Sequence, residues 1–180
     1  MRFLPLLLEG AWLVEPEPYR DDRGFFARTW CAREFAEHGL SASFVQASVS
    51  FNYAAGTLRG MHYQAEPHAE TKLVRCTAGS IYDVLVDIRP ASRTYLKWVA
   101  ETLSRENRRA LYIPEGFAHG FLTLENGSEV LYEITEFHHP ESARGLRWND
   151  PALGIDWPSE PTRISARDAA YPLFSEVTRP

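Results

Sequence analysis

The segments Gly56-Thr-Leu-Arg-Gly-Met-His-Tyr-Gln64 and Tyr112-Ile-Pro-Glu-Gly-Phe-Ala-His-Gly-Phe121 decide the fold of this chain. Each places a histidine, His62 or His119, inside a run of aromatic, aliphatic and glycine residues that is typical of a β-strand. A lone histidine in a strand is more often a hydrogen-bonded core residue than a functional one. Several titratable residues recur within apolar strands here, and this pattern favours a functional site over a purely structural role for the histidines.

Strand signals follow one another at short intervals around these segments. They cover residues 42–52, 56–63, 71–76, 80–88, 98–103, 110–113, 117–124 and 129–136. Pro, Gly and Asn separate them, and no long helical pattern lies between them. Many short strands without intervening helices favour an antiparallel sandwich or barrel, so the predicted fold class is all-β.

The two ends of the chain are predicted to be peripheral. Leu4-Pro-Leu-Leu-Leu8 is too short for a signal-peptide core or a membrane span and is predicted to be an opening strand. Residues 32–38, which precede Gly39, predict one short helix with a glycine stop. The tail after Trp148 is rich in Pro and Asp, and we expect short turns and helical pieces there rather than strands. Residues 1–180 are predicted to form one domain.

Composition narrows the partners and the compartment. The formal net charge of -5 gives no reason to expect nucleic-acid binding. Cys31 and Cys76 do not make a disulfide framework, which predicts a reduced, cytoplasmic setting. The sequence lacks the Gly-x-Gly-x-x-Gly and Gly-x-x-x-x-Gly-Lys-Ser/Thr loops, so dinucleotide and P-loop sites are not expected.

The segment Ile81-Tyr-Asp-Val-Leu-Val-Asp-Ile88 alternates strictly, so successive side chains point to opposite faces of a strand. One face is purely apolar and is expected to meet the core: Tyr82, Val84, Val86 and Ile88. The other mixes acids with aliphatic residues, and this pattern fits either the lining of a ligand-binding barrel or an edge strand: Ile81, Asp83, Leu85 and Asp87. Periodicity alone leaves open whether His119 and Tyr132 point into one cavity.

A histidine, a lysine and a tyrosine on converging strands can remove a proton, hold an oxyanion and return a proton. This set suits proton abstraction next to a carbonyl group. The candidates are His62, Lys72 and Tyr132.

The segment from His62 to Gly79, followed by Pro114-x-Gly-x-x-His119, resembles the two motifs of the cupin superfamily, a jelly-roll barrel. Metal-binding cupins carry His-x-His and then Glu in the first motif, where this chain has Gln64 and Lys72. Replacing these two ligands by a neutral amide and an ammonium removes electron pairs that a divalent metal needs. We therefore expect a metal-free cupin that uses no cofactor.

Longer motifs make the resemblance more specific. The chain is similar to the dTDP-4-dehydrorhamnose 3,5-epimerase family from Arg23 to about Leu173. The matching motifs are Arg23-Gly-Phe-Phe26, Leu58-Arg-Gly-Met-His-Tyr-Gln64, Lys72-Leu-Val-Arg75, Asp83 to Arg89, Ile113-Pro-Glu-Gly-Phe-Ala-His-Gly-Phe121 and Trp148-Asn-Asp-Pro151. This family consists of homodimeric cupins that epimerise the two carbons flanking the C4 ketone of a nucleotide-linked 6-deoxy-4-keto sugar.

The resemblance also implies roles for individual residues. His62 matches the base that removes the α-proton, and Asp168 matches the aspartate that orients it. Tyr132 matches the acid that protonates the opposite face. Lys72, with Asp83 nearby, matches the residues at the enolate.

Further positions match substrate contacts, and some depart from the family pattern. The implied contacts are Arg23, Arg28, Gln46, Ser48, Arg59, His119 and His138. Arg28 stands where the family has a glutamate, and Gln46-Ala-Ser-Val49 replaces Gln-Asp-Asn-His. His138 replaces a tyrosine that stacks on thymine, and Ala143 replaces another glutamate. We therefore expect the chemistry to be kept and nucleotide recognition to be altered.

Three readings follow for the function. The first is epimerisation at C3, C5 or both in a nucleotide-linked 4-keto-6-deoxy hexose of the dTDP-rhamnose pathway. The second is a mono-epimerase that acts on a CDP- or GDP-linked sugar. A non-catalytic sugar-binding cupin is the third, although such a module has no need for His62, Lys72 and Tyr132 together. A metal-dependent cupin is disfavoured by Lys72.

Overall fold

The computed structural model describes residues 1–40 and 43–177, and β-strands dominate it. The strands are Arg2–Pro5 (β1), Trp12–Glu15 (β2), Tyr19–Asp21 (β3), Gly24–Phe26 (β4), Gln46–Asn52 (β5), Thr57–Gln64 (β6), Lys72–Ala78 (β7), Ser80–Asp87 (β8), Trp98–Ser104 (β9), Ala110–Ile113 (β10), Phe117–Thr123 (β11), Ser128–Ile134 (β12), Ala143–Gly145 (β13) and Arg163–Ile164 (β14). The helices are Ala32–Glu37 (α1), Ala166–Ala169 (α2) and Phe174–Val177 (α3). None of the helices in these ranges is long and apolar enough to cross a membrane.

Two large sheets and one hairpin organise the strands. The first sheet has the order β1-β2-β10-β7-β12-β5, and the second has the order β13-β6-β11-β8-β9 with β14 parallel to β6. Apolar side chains from both sheets, among them Val74, Leu85, Phe121 and Val130, pack in one shared core cluster. The chain therefore forms the antiparallel jelly-roll that was predicted, and the all-β fold class is confirmed.

Smaller clusters cover the outer faces of the two sheets. On the first sheet, Phe35 of α1 packs with Val14, Leu73 and Tyr112. On the second sheet, residues of the C-terminal segment cover Met61, Val84 and Val86; they include Leu146, Leu153, Ile155 and Trp157. The central strands of both sheets are thus buried on both faces, which explains why they are unusually rich in apolar residues.

The alternation in β8 has the predicted result on both faces. Val84 and Val86 are fully buried under the C-terminal segment, whereas Ile81 and Leu85 lie in the core between the sheets. Asp83 shares that inner face and is also fully buried. Because β8 pairs with β11 on one side and with β9 on the other, it is an interior strand, and the edge-strand reading is wrong.

The short helix predicted before Gly39 is confirmed as α1. Gly39 adopts a φ of 70°, a left-handed conformation that glycine reaches without strain. Its N–H donates to the carbonyl of Ala36, and the N–H of Leu40 donates to the carbonyl of Phe35. These bonds satisfy carbonyl groups that the end of the helix would otherwise leave without partners.

The predictions for the chain ends need correction. β1 begins at Arg2 and ends at Pro5, so Leu4–Leu8 is only partly a strand. The tail after Trp148 was expected to add no strands, but β14 pairs with β6 because the edge of β6 opposite β11 is free at Thr57 and Leu58. β13, which precedes Trp148 and pairs with the same edge farther along, was not predicted. β2, β3 and β4 were not predicted. Of the strand predicted over 42–52, residue 42 lies outside the described residues and the strand begins at Gln46.

Candidate active site

A cavity of about 370 Å³, the central cavity, collects most of the residues that the sequence singled out. It lies between strands of both sheets, β5, β7 and β12 from the first and β6 and β11 from the second. Its lining residues are Gln46, Ser48, Val49, Ser50, Arg59, His62, Glu70, Lys72, His119, Tyr132, Ile134 and His138. The question that periodicity left open is thereby answered, since His119 and Tyr132 do share one cavity.

The two histidines face each other across neighbouring strands. His62 of β6 and His119 of β11 are directly paired in the register of the second sheet. Side chains of paired residues project from the same face of a sheet, so both rings point to the first sheet. The backbones of β6 and β11 approach closely beside the two histidines. A side chain at Gly60 would not fit there, since its Cβ would lie 2.5 Å from the Cα of Gly120.

His62 is held by a buried carboxylate. Its Nε2 lies 2.9 Å from Oδ1 of Asp168, which is only 5 % exposed. Burial opposes the charged form of Asp168, but the hydrogen bond and charge of His62 outweigh it and lower the pKa of that carboxyl. An ionised carboxylate can only accept a hydrogen bond, so Nε2 carries the proton of a neutral His62 ring and Nδ1 keeps its lone pair.

Asp168 is itself fixed by α2. Its backbone N–H donates to Oγ of Ser165, the residue that caps the start of this helix, at 3.0 Å. Its second oxygen, Oδ2, accepts the N–H of Gly60 at 3.3 Å. The carboxylate therefore has partners on both sides, and it restricts the rotation of the His62 ring.

His119 forms a second, more deeply buried pair. Its Nε2 lies 2.5 Å from Oδ1 of Asp83, and both side chains are almost completely enclosed. Oδ2 of Asp83 is buried and has no hydrogen-bond partner in the described part of the chain. The ring of Tyr132 meets the ring of His119 edge to face, with the centroids 6.0 Å apart.

Tyr132 is arranged to stay protonated. The surrounding protein raises the pKa of its phenol by desolvation, and the charge of Asp83 raises it further, although Arg59 opposes both. At neutral pH the hydroxyl group is therefore a proton donor rather than a phenolate.

Lys72 forms an ion pair inside the cavity. Its Nζ lies 2.8 Å from Oε1 of Glu70, and the two side chains are 10 % and 11 % exposed. The sequence analysis did not single out Glu70. Glu70 could have been identified from its position two residues before Lys72, because side chains at positions i and i+2 of an extended chain project to the same side.

Arg59, Gln46 and His138 are anchored around the opening. Nε of Arg59 donates to Oδ1 of Asn52 at 2.8 Å. Oε1 of Gln46 accepts the backbone N–H of His138 at 2.7 Å, so Gln46 positions the segment that brings His138 to the cavity.

Arg23 and Arg28 do not line the central cavity of their own chain. Arg23 is on the β3–β4 hairpin and pairs with Asp21, and Arg28 pairs with Glu34 at 2.7 Å. Both arginine side chains are mostly exposed. Their predicted contact with substrate therefore requires a second chain or a movement of the hairpin.

Sequence reasoning also missed two arginines on the other side of His62. A second cavity of about 700 Å³ is lined by Arg59, Arg163 and Arg167 together with His62 and Asp168. Arg167 directly precedes Asp168 and could have been noted from that position. This cavity gives the neighbourhood of His62 a concentration of positive charge, which suits a phosphorylated ligand.

Comparison with known proteins gives one consistent result. The family model of dTDP-4-dehydrorhamnose 3,5-epimerase matches residues 5–176. The enzyme of that name from Methanothermobacter thermautotrophicus is 49% identical over 159 residues, which are 88% of this chain and 85% of the relative.

Solved structures agree over almost the whole chain. The dTDP-6-deoxy-D-glucose-3,5-epimerase of Legionella pneumophila, in complex with dTDP-4-keto-L-rhamnose, aligns with a TM-score of 0.90 at 40% identity and covers 96% of this chain and 92% of that one. A 3'-monoepimerase from Streptomyces bikiniensis, in complex with dTDP-quinovose, aligns with a TM-score of 0.89 at 30% identity over 96% of this chain and 87% of that one.

Proposed function

The chain belongs to the dTDP-4-dehydrorhamnose 3,5-epimerase family, and from that premise we propose that it epimerises C3 and C5 of a dTDP-linked 4-keto-6-deoxy hexose. The observation that carries the proposal is the central cavity, in which the His62–Asp168 pair, Lys72 and Tyr132 surround one space. The substrate is a nucleotide-diphosphate sugar, and the product differs from it only in configuration.

His62 is the base in this proposal. Its free lone pair accepts the proton of the carbon next to the C4 ketone, and the electrons of the C–H bond move into the enolate. Asp168 then stabilises the imidazolium that forms, because a charged hydrogen bond is stronger than a neutral one. No electrons leave the substrate, so the step balances without an oxidant.

Lys72 stabilises the enolate oxygen, since an ammonium in a largely enclosed cavity acts through a low dielectric. Tyr132 donates the proton that completes inversion. It extends from β12 of the first sheet, whereas His62 extends from β6 of the second. Groups on opposing sheets are well placed to remove and deliver protons on opposite faces of a sugar ring.

We also propose that the catalytic reaction uses no cofactor. At the two cupin ligand positions, the Gln64 amide is engaged by backbone groups and Lys72 is paired with Glu70. Neither side chain offers a lone pair to a metal in the central cavity. Removal of metal ions by a chelator should leave the rate of epimerisation unchanged.

A homodimer is the proposed assembly. Large apolar side chains are exposed on the first sheet's edge strand β5 and next to it, where Val49, Phe51 and Tyr53 are 58%, 48% and 87% exposed. An edge strand with this surface is suited to pairing with another chain. A partner could also bring Arg23 and Arg28 to the diphosphate or base.

We place the enzyme in the cytoplasm. Cys31 and Cys76 are free thiols, and burial raises the pKa of Cys76 to about 12. A protonated, enclosed thiol of this kind is inert and is compatible with a reducing compartment.

The decisive test offers dTDP-, CDP-, UDP- and GDP-linked 4-keto-6-deoxy sugars to the protein in D₂O and follows each carbon by NMR. We expect deuterium at C3 and C5 of the dTDP sugar together with inverted product. Incorporation at one carbon only would establish a mono-epimerase, the activity named for the Streptomyces bikiniensis relative.

A His62→Ala variant provides the control for the same experiment. It should lose nearly all α-proton exchange while its circular dichroism spectrum is unchanged, and Asp168→Asn should lose about 10²- to 10⁴-fold. Tight sugar binding without exchange by the parent protein would instead support the non-catalytic reading.

A further inference from the structure

A group of metal-ligating side chains lies outside the central cavity. His68, Glu136 and His139 bring one potential ligand atom each to within 4.8 Å of one another. His68 belongs to the loop between β6 and β7, and the other two follow β12. Their side chains are partly exposed, and the neighbouring His138 lines the central cavity.

His139 has the hydrogen bond that a ligating histidine requires. Its Nδ1 lies 3.1 Å from Oε1 of Glu141. A carboxylate at neutral pH only accepts, so the proton of the neutral ring is on Nδ1 and the lone pair is on Nε2. Metal-bound histidines are commonly held in this way by a carboxylate on their other nitrogen.

Glu136 lies near that nitrogen. Its Oε1 lies 3.8 Å from Nε2 of His139, which is too far for a hydrogen bond. Two ligand atoms that each lie about 2.0–2.2 Å from the same ion are separated by a distance similar to the one between Oε1 of Glu136 and Nε2 of His139. The backbone N–H of Phe137 donates to the same carboxylate oxygen at 2.7 Å and so orients it.

Gln64 fixes the backbone on which these ligands sit. Its Nε2 donates to the carbonyls of His68 and Phe137 at 3.0 and 3.1 Å, and its Oε1 accepts the N–H of His139 at 2.7 Å. This side chain is 5% exposed. The two loops are therefore held together by a buried amide, which reduces the entropy that a ligand would otherwise have to remove.

The two imidazole rings stack in parallel, with centroids 3.4 Å apart and an interplanar angle of 5°. Because imidazole lone pairs lie in the ring planes, coordination of one ion requires the rings of His68 and His139 to tilt out of this stack. Their partial exposure leaves room for that rotation.

We propose that His68, Glu136 and His139 bind a divalent transition-metal ion such as Zn²⁺, with Glu141 supporting His139 and water completing the coordination. Two imidazoles and one carboxylate are a donor set that zinc accepts. The site is separate from the central cavity and takes no part in the epimerisation.

Isothermal titration with ZnCl₂ of the metal-stripped full chain tests the proposal. We expect one ion per chain, and the variants His68→Ala, His139→Ala and Glu136→Gln should each weaken binding roughly tenfold or more. Glu136→Gln retains an acceptor for Phe137 and removes only the charge. Visible absorption of the Co²⁺-loaded protein should report nitrogen and oxygen ligands.

Two further variants make the outcome unambiguous. His38→Ala removes an exposed imidazole on the far side of the first sheet and should leave the affinity unchanged. His62→Ala should also bind Zn²⁺ as the parent does. Loss of binding with His62→Ala but not with His68→Ala would place the ion in the central cavity and overturn the proposal, as would the absence of saturable binding.

Discussion

At the residue scale, Tyr132 offers the sharpest separation of binding from chemistry. Tyr132→Phe keeps the ring against His119 and removes only the hydroxyl group. Because His62 remains, deuterium should still enter the substrate, while formation of inverted product should fall by about 10²- to 10⁴-fold. NMR of the substrate and product pools in D₂O measures both quantities in one sample.

Parallel loss of exchange and inversion in Tyr132→Phe would assign the tyrosine to binding or to structure. A thermal melt of the variant excludes the second of these, since the ring that packs in the core is unchanged.

The Glu70–Lys72 pair leads to a prediction about stability. Glu70→Gln leaves the Lys72 ammonium largely enclosed without its counter-charge, so we expect a loss of about 3 kcal/mol in the free energy of unfolding. Adding Lys72→Met removes the unpaired charge and should recover most of the lost free energy of unfolding, although it abolishes activity. Urea denaturation gives both values.

Glu66→Gln is the matched control for this pair, since Glu66 is exposed in the same loop. It should change stability by no more than about 0.5 kcal/mol. If Glu70→Gln behaves like the control, water already screens Lys72 and the ion pair carries no structural role.

Most site residues could be identified from the sequence, and the family resemblance also implied that Asp168 orients His62. The resemblance indicated His62, Lys72 and Tyr132, and the structure brings them around one cavity. No local pattern reports the pairing of Asp168 with His62, because 106 positions separate them in the chain. Arg23 shows the limit most clearly, because its predicted contact with substrate requires a second chain or a movement of the hairpin, and no local pattern reports either.

At the scale of elements, Asp87 ties the end of β8 to the loop that follows. It accepts hydrogen bonds from Arg89, Ser92 and Thr94, including 2.8 Å from Nη2 of Arg89 and 2.6 Å from Oγ1 of Thr94. Burial opposes its charge, yet these bonds lower its pKa from 3.8 to about 2. The carboxylate is fully buried, so the shift corresponds to about 2 kcal/mol of stability.

The sign of this effect sets its pH range. A carboxyl with a lowered folded-state pKa stabilises the fold fully above about pH 4, and the contribution disappears as the pH falls towards 2. Asp87→Asn should therefore lose about 2 kcal/mol at pH 7, and its stability should fall less than that of the parent between pH 4 and pH 2.

Urea denaturation at pH 7, 4 and 2.5 measures the effect of Asp87→Asn. Asp22→Asn, in the exposed β3–β4 turn, should follow the parent at every pH. Parallel curves for the parent and Asp87→Asn would show that the loop holds without this carboxylate.

The long strands could be predicted because their hydrophobic alternation is set by burial on defined faces, as in β8. The short strands β3, β4, β13 and β14 have two or three residues each, which is too few for a period to be read. β13 and β14 form because the longer β6 offers free backbone groups, and that information is not local in sequence. β3 and β4 pair only with each other across a turn.

At the scale of the whole molecule, the exposed edge at β5 predicts the assembly. We expect the parent protein to be a dimer by light scattering, and Phe51→Glu should shift it towards monomers because a charge would be buried in the interface. Leu7→Glu is the control, as Leu7 is 88% exposed next to β1, at the opposite edge of the same sheet. A monomeric parent protein contradicts this prediction directly.

In the proposed dimer, we expect nucleotide recognition to combine residues of both chains. His138 lines the central cavity, so His138→Tyr acts within one chain and adds an aromatic surface on which thymine can stack. A stacking gain of about 0.5–1.5 kcal/mol would tighten dTDP binding roughly two- to tenfold.

Arg28 lies away from the cavity of its own chain, so Arg28→Glu should alter affinity only where the dimer forms. Titration of dTDP, CDP and GDP into the parent, each single variant and the double variant separates the two contributions. In the background of Phe51→Glu, the effect of Arg28→Glu should vanish while that of His138→Tyr persists. If the unmodified protein already binds dTDP tightly and rejects CDP and GDP, neither substitution should help, and the departures at both positions have left thymidine recognition intact.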